Sequence, residues 1–182
     1  MNAFQIFGLD PTPWLDQETL RERYLQLSSQ LHPDAATSDD PNSFTQLQTA
    51  YQLLCTDRLR VRLFLEILGE AELPTVGAVP SHLADFFMKT GGLIAAADRL
   101  LKQRAEAESF LEKASLQAEA LEKSDALQNL LTEFLSTRTQ LQGTLQTASP
   151  KDVDLLKTII IELSYLDRWI EQVQEKMFLL VD

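Results

Sequence analysis

From Val153 to Leu180 apolar residues return at steps of three, four or seven: Val153, Leu156, Ile160, Leu163, Ile170, Val173, Met177 and Leu180. That spacing follows the 3.6-residue turn of an α-helix and places one apolar stripe along nearly thirty residues. Such a helix needs other apolar helix faces against which to bury its stripe. The chain supplies them. Leu83, Phe86, Phe87, Ile94, Ala97 and Leu101 form a second stripe, and Leu127, Leu130, Leu131, Phe134, Leu141 and Leu145 a third. Only six glycines and seven prolines punctuate 182 residues, too few for a many-turned β protein. The spacing predicts an all-α chain whose C-terminal part is an antiparallel three-helix bundle, with a long coiled-coil hairpin as the competing shape.

Before this region the helices are shorter. "FQIFGL" reads as an apolar turn, and Asp16 can cap a helix carrying Leu20, Tyr24, Leu27 and Leu31. Pro33 stops that helix, since proline has no amide donor and disfavours helical geometry in the residue before it. A polar loop follows, with a restart near Asp40 or Pro41. Phe44, Leu47, Tyr51 and Leu54 mark the next helix; Leu59, Leu63, Ile67 and Leu68 mark a shorter one ending at Gly69. The Pro/Gly-containing stretch "GEAELPTVGAVPS" sets the boundary, giving domains 1–73 and 81–182 joined by a linker, 74–80. In the second domain the first helix is expected to begin after Ser81 and run to about Ala114 or beyond. Ser149 and Pro150 are expected to cap and open the last one.

Composition excludes several functions. A net charge of −11 gives no basic excess with which to displace counterions from nucleic acid. No apolar run reaches the roughly 20 residues that span a bilayer, and "MNAFQIFGLD" lacks the basic start of a secretory signal, so a soluble cytoplasmic protein is expected. The one cysteine, Cys55, forms no internal disulfide and reads as a packed thiol. With one cysteine and two histidines there is no zinc-ligand spacing, and no cofactor is expected. His82, just after a linker proline, reads as a surface residue. Gly91 and Gly92 interrupt a helical pattern at roughly 1 kcal/mol each, which suggests a kink or close packing. The chain shows no catalytic constellation and is not expected to be an enzyme.

One cluster stands out. His32, Pro33 and Asp34 put an imidazole and a carboxylate on either side of a helix breaker, between two amphipathic helices. Together with "FGL" at 7–9, "LRERYLQLSSQLHPD", "FTQLQTAYQLLCTDRLR" and Arg60, this arrangement resembles a J-domain, the module that stimulates ATP hydrolysis by DnaK-type chaperones. The linker and three-helix domain, with "LADFFMKT" and "YLDR" at Tyr165–Arg168, are similar to HscB, the J-protein of iron–sulfur cluster assembly. The resemblance implies a J-domain helical hairpin followed by an HscB-type helical domain. It implies a co-chaperone in which His32, Pro33, Asp34, Arg21 and Arg23 contact a DnaK/HscA-type chaperone. Phe87, Met88 and Tyr165 would contact an IscU-type scaffold.

The sequence also departs from that pattern. Ala35 stands where J-domains carry lysine, and Gly91, Gly92 and Ala95 stand where a leucine and acidic residues are expected on the scaffold face. Up to Pro74 there are five basic against eleven acidic residues. Two other readings stay open: a J-domain co-chaperone serving a different client, and a structural helical bundle whose His-Pro-Asp has no function.

Overall fold

A computed structural model describes residues 1–31, 42–70, 72, 74 and 77–181. Among them there is no strand. Seven α-helices follow in order: α1 (Ala3–Phe7), α2 (Gln17–Leu31), α3 (Ser43–Cys55), α4 (Asp57–Ile67), α5 (Ala84–Glu106), α6 (Phe110–Thr147) and α7 (Val153–Val181). The fold class is all-α, as the apolar spacing predicts. The chain divides into two compact units, Met1–Thr75 with Leu141–Ile160, and Val76–Gln140 with Ile161–Asp182.

In the first unit "FQIFGL" is more than a turn. Asn2 and Gln5 form a reciprocal capping box, and Gly8 closes the helix in the left-handed region at φ 63°. This one-turn helix places Phe4 and Phe7 in a core with Leu20 of α2 and Leu47, Ala50 and Leu54 of α3. Tyr24 and Tyr51 stack across the α2/α3 hairpin with ring centroids 4.2 Å apart. The Tyr51 hydroxyl is pushed up from its usual range by its hydrogen bond with the Cys55 side chain, with burial adding to the shift. Asp16 caps α2 as expected, its Oδ2 accepting from the Thr19 amide at 2.8 Å and from the Thr19 hydroxyl at 2.6 Å.

Just past the end of α4, Gly69 turns the chain with a φ of 85°, which lets the Glu70 amide reach back to the Leu65 carbonyl. Its buried face differs from the expected stripe. Ile67 and Leu68 are exposed, and the inward residues are Asp57, Arg60, Val61, Phe64 and Leu65. A hydrophobicity period misses this face because two of its members are charged and neutralise each other inside the unit. The unit also contains Leu145, Leu156, Ile159 and Ile160, all buried. Lys157 of α7 donates to Glu70 at 2.8 Å.

The second unit is a three-helix bundle. Phe86 of α5 meets Phe134 of α6 edge to face at 5.1 Å, and Phe134 stacks on Trp169 of α7 at 5.7 Å. Lys89 pairs with Glu133, Asp98 with Lys176, and the Arg104 guanidinium donates to the Leu180 carbonyl. These pairings run α5 antiparallel to α6 and parallel to α7. Leu100, Leu127, Leu130, Leu163, Leu166 and Val173 fill the core. The first helix of the unit stops earlier than expected. Ala107 turns extended (ψ 128°), and Ser109 then caps α6 by accepting from the Glu112 amide at 3.1 Å. At the start of α7 the cap is Asp152, which accepts from the Leu155 amide at 3.2 Å; Ser149 and Pro150 lie in the preceding turn. No helix among the described residues is long and apolar enough to cross a membrane.

Candidate functional site

The first candidate surface is the α2 side of the hairpin. His32, Pro33 and Asp34, and Ala35 after them, lie outside the described residues. What is described is the helix that leads to them. Leu20, Tyr24, Leu27 and Leu31 face α1 and α3, so Glu18, Arg21, Glu22, Leu25 and Ser29 face outward. The two arginines of α2 differ in what they do. Arg21 is exposed on the outer face. Arg23 turns to the side, where Nη1 donates to the Gln26 amide oxygen at 2.9 Å and Nε makes a long 3.4 Å contact with the Phe7 carbonyl. Leu25 is 57% exposed, a feature the apolar stripe passes over because this leucine is out of phase with it.

Below the hairpin, Arg60 holds the joint between loop and helices. It is fully buried, and its Nε donates to the Pro13 carbonyl at 3.1 Å, Nη1 to the Leu54 carbonyl at 2.6 Å and Nη2 to Asp57 Oδ1 at 2.5 Å. The second carboxylate oxygen of Asp57 accepts from the Gln142 amide at 2.7 Å. A planar guanidinium with donors on three sides suits this position; an ammonium could not reach all three acceptors. The entry to α2, the C-terminus of α3 and the start of α4 are thereby fixed to one another.

The second candidate surface is on α5. Phe87 is 52% and Met88 70% exposed, and one turn on Gly91 and Gly92 leave bare backbone, followed by exposed Ala95. Neither glycine is there for close packing, since an added Cβ would meet nothing within 4 Å at either position. The helix continues through both to Glu106. Tyr165 does not join this face as an exposed contact. It is buried against Trp169, ring centroids 5.4 Å apart, and its hydroxyl donates to the Gly77 carbonyl at 2.5 Å. Its place is beneath the surface, pinning the segment that enters the bundle. His82 is exposed as expected and pairs with Glu162 of α7 at 2.9 Å.

Comparison with known proteins follows the same division. Residues 2–62 match the DnaJ domain family. No curated protein matches the chain. Among solved structures, the chaperone HscB from Vibrio cholerae superposes with a TM-score of 0.52 at 20% identity, over 97% of this chain and 99% of that one. Residues 2–62 thus match the DnaJ domain family, and the chain as a whole shares the fold of that HscB.

Proposed function

We propose that the protein is a co-chaperone that stimulates the ATPase of a DnaK/HscA-type chaperone and delivers an IscU-type scaffold to it for iron–sulfur cluster assembly. The observation that carries the reading is the coincidence of a J-domain at residues 2–62 with an HscB-like fold over the whole length. His32, Pro33 and Asp34 contact the chaperone, with Arg21 on the neighbouring helix face. Hydrolysis occurs in the partner. The co-chaperone acts by binding one conformation of that partner better than another, which shifts its population toward the hydrolysing state. A rigid J-domain suits this role, because differential contact requires a surface that does not deform, and the Arg60 network supports that rigidity.

In this reading Phe87 and Met88 are the scaffold contacts and Tyr165 is a supporting residue. Linking scaffold and chaperone through one chain raises the effective concentration of each for the other. A second reading is favoured by Gly91, Gly92 and Ala95: a face without side-chain charge between Met88 and Asp98 suits a different, apolar client. Titrating an IscU-type scaffold against the wild type and Phe87→Ala/Met88→Ala separates the two. Binding that the double variant weakens supports the scaffold role. No binding, or binding that ignores it, favours the other client. The chaperone arm is tested by single-turnover ATP hydrolysis with wild type and His32→Gln.

A further inference from the structure

The α6/α7 flank of the bundle carries an apolar strip that the core does not use. Phe110, Ala114, Gln117 and Leu121 follow at steps of four, three and four residues, so they share one face of α6. That face turns toward α7. Gln117 and Lys113 line one hollow with Arg104, whose guanidinium donates to the Leu180 carbonyl of α7. Glu119 and Lys123, about 200° around α6 from Gln117 and Leu121, line a different hollow with Arg99 and Gln103 of α5. On α7, Lys176 pairs with Asp98 of α5, and Phe178 and Val181 lie about 200° and 140° around from it, on the flank away from α5. Counted from the Phe134–Trp169 stack along antiparallel helices, Phe178 and Val181 fall level with residues 122–125 of α6. Phe110, Leu121, Phe178 and Val181 are between 56% and 88% exposed. Phe110 extends the strip eleven residues, about 17 Å, beyond Leu121.

Acidic residues border the strip where the two helices meet. Asp125 stands one turn from Leu121 with Glu122 between them, and Glu175 and Glu171 stand one and two turns from Phe178. All four are exposed. The cations of this end point elsewhere or are engaged. Lys176 holds Asp98, Lys102 pairs with Glu106, Arg104 holds the Leu180 carbonyl, and Arg99 and Lys123 belong to the α5 side. Lys113 lies beside Phe110, at the far end of the strip. In total, residues 98–125 and 171–181 carry nine acidic against six basic residues.

We infer that this flank docks a cationic amphipathic helix of a partner protein. The apolar side of that helix lies along Phe110, Leu121, Phe178 and Val181, and its lysines or arginines meet Asp125, Glu171 and Glu175. Charge complementarity sets the choice. A second copy laid on the same flank would bring two acidic borders together, and an anionic membrane surface would meet the same carboxylates. The shape fits as well, since about 17 Å of strip corresponds to three turns of a helix laid along it. This surface is distinct from Phe87 and Met88. Phe86 adjoins Trp169, and Phe178 lies nine residues, about 14 Å, further along α7.

The probe is a fluorescent amphipathic helix of about 18 residues, leucine on one face and lysine on the other, titrated by anisotropy against the full-length protein at about 50 and about 300 mM salt. Leu121→Ser/Phe178→Ser should raise the dissociation constant about tenfold at both salts, with little change in melting temperature because both side chains are exposed. Glu171→Gln/Glu175→Gln should raise it at low salt and much less at high salt, where the charges are screened. Asp10→Asn/Glu72→Gln, which removes the same charge from the other unit, should leave it unchanged, and a leucine–glutamate helix should not bind. No binding of the lysine helix, or binding that ignores Leu121 and Phe178, overturns the proposal. So does a loss in Asp10→Asn/Glu72→Gln equal to that in Glu171→Gln/Glu175→Gln, which would make the attraction one of net charge alone. Sedimentation velocity and flotation with phosphatidylserine vesicles read the other occupants. Self-association or vesicle binding by the wild type that Leu121→Ser/Phe178→Ser abolishes would give the strip to a second copy or to lipid, and overturn the partner helix.

Discussion

Arg60 and Asp57 form a buried ion pair on α4, the guanidinium holding two backbone carbonyls besides and the carboxylate holding Gln142. Removing one partner of such a pair leaves an uncompensated charge inside, at about 3–5 kcal/mol. Arg60→Ala should lower stability by that amount in chemical denaturation followed by circular dichroism. Arg60→Lys keeps the charge but not the three-sided geometry and should fall between the variant and wild type. In the double variant Arg60→Ala/Asp57→Ala the cost should be less than the sum of the two single costs, because the second truncation removes the charge the first one stranded.

Tyr165 buries its ring and commits its hydroxyl to Gly77. Tyr165→Phe keeps the ring packing and removes one hydrogen bond, for an expected loss of about 0.5–1.5 kcal/mol. Tyr165→Ala opens a cavity next to Trp169 and should cost about 3–5 kcal/mol. Scaffold binding measured by calorimetry should be close to wild type in Tyr165→Phe. A large affinity loss there with unchanged stability would make Tyr165 a direct contact.

Gly91 and Gly92 lie on the exposed side of α5 with open space at each Cβ position. Alanine at either site should raise stability by about 0.5–1 kcal/mol through the lower backbone entropy of the unfolded chain. A partner that approaches the bare backbone would lose affinity for the same variants. Stability and client binding should then move in opposite directions, which thermal melts and a binding titration read separately.

The Asp16 carboxyl is held below its ordinary range, first by the hydrogen bond from the Thr19 hydroxyl and then by that from the Thr19 amide. A group whose folded pKa is depressed contributes stability that is fully present above its unfolded pKa of about 3.9 and is lost as pH falls through the lower folded value. Asp16→Asn preserves a capping oxygen without the charge. The melting-temperature difference between wild type and Asp16→Asn should be constant above about pH 5 and shrink below about pH 4. A difference independent of pH would show that the charge plays no part in the cap.

The helices of the hairpin and α7 were legible in the sequence because their buried faces are made of apolar residues at helical spacing. Leu20, Leu47, Leu54, Leu156, Ile160, Leu163 and Val173 are all buried where the stripes put them. The inward face of α4 was not legible, since Asp57 and Arg60 look like surface residues until their partners are known. Nor was the break at Ala107–Ser109, where an alanine- and glutamate-rich run has helical propensity throughout and only Ser109, as a capping residue, signals a new start. Phe87 sits at a stripe position yet is half exposed, so helical spacing alone does not place it. Exposed leucines such as Leu25 carry no periodic signal. The His-Pro-Asp triplet lies outside the described residues, and its proposed role rests on the motif and on the match of residues 2–62 to the DnaJ domain family.

The proposed function requires His32 to drive ATP hydrolysis in a partner chaperone. Single-turnover ATP hydrolysis by DnaK-type chaperones of the source genome, with saturating wild type and His32→Gln side by side, tests it most directly. The wild type should accelerate hydrolysis about tenfold or more, equivalent to at least about 1.4 kcal/mol off the barrier, and His32→Gln should return the rate to that of the chaperone alone. Equal acceleration by both proteins, or none by the wild type with any of these chaperones, would contradict the account.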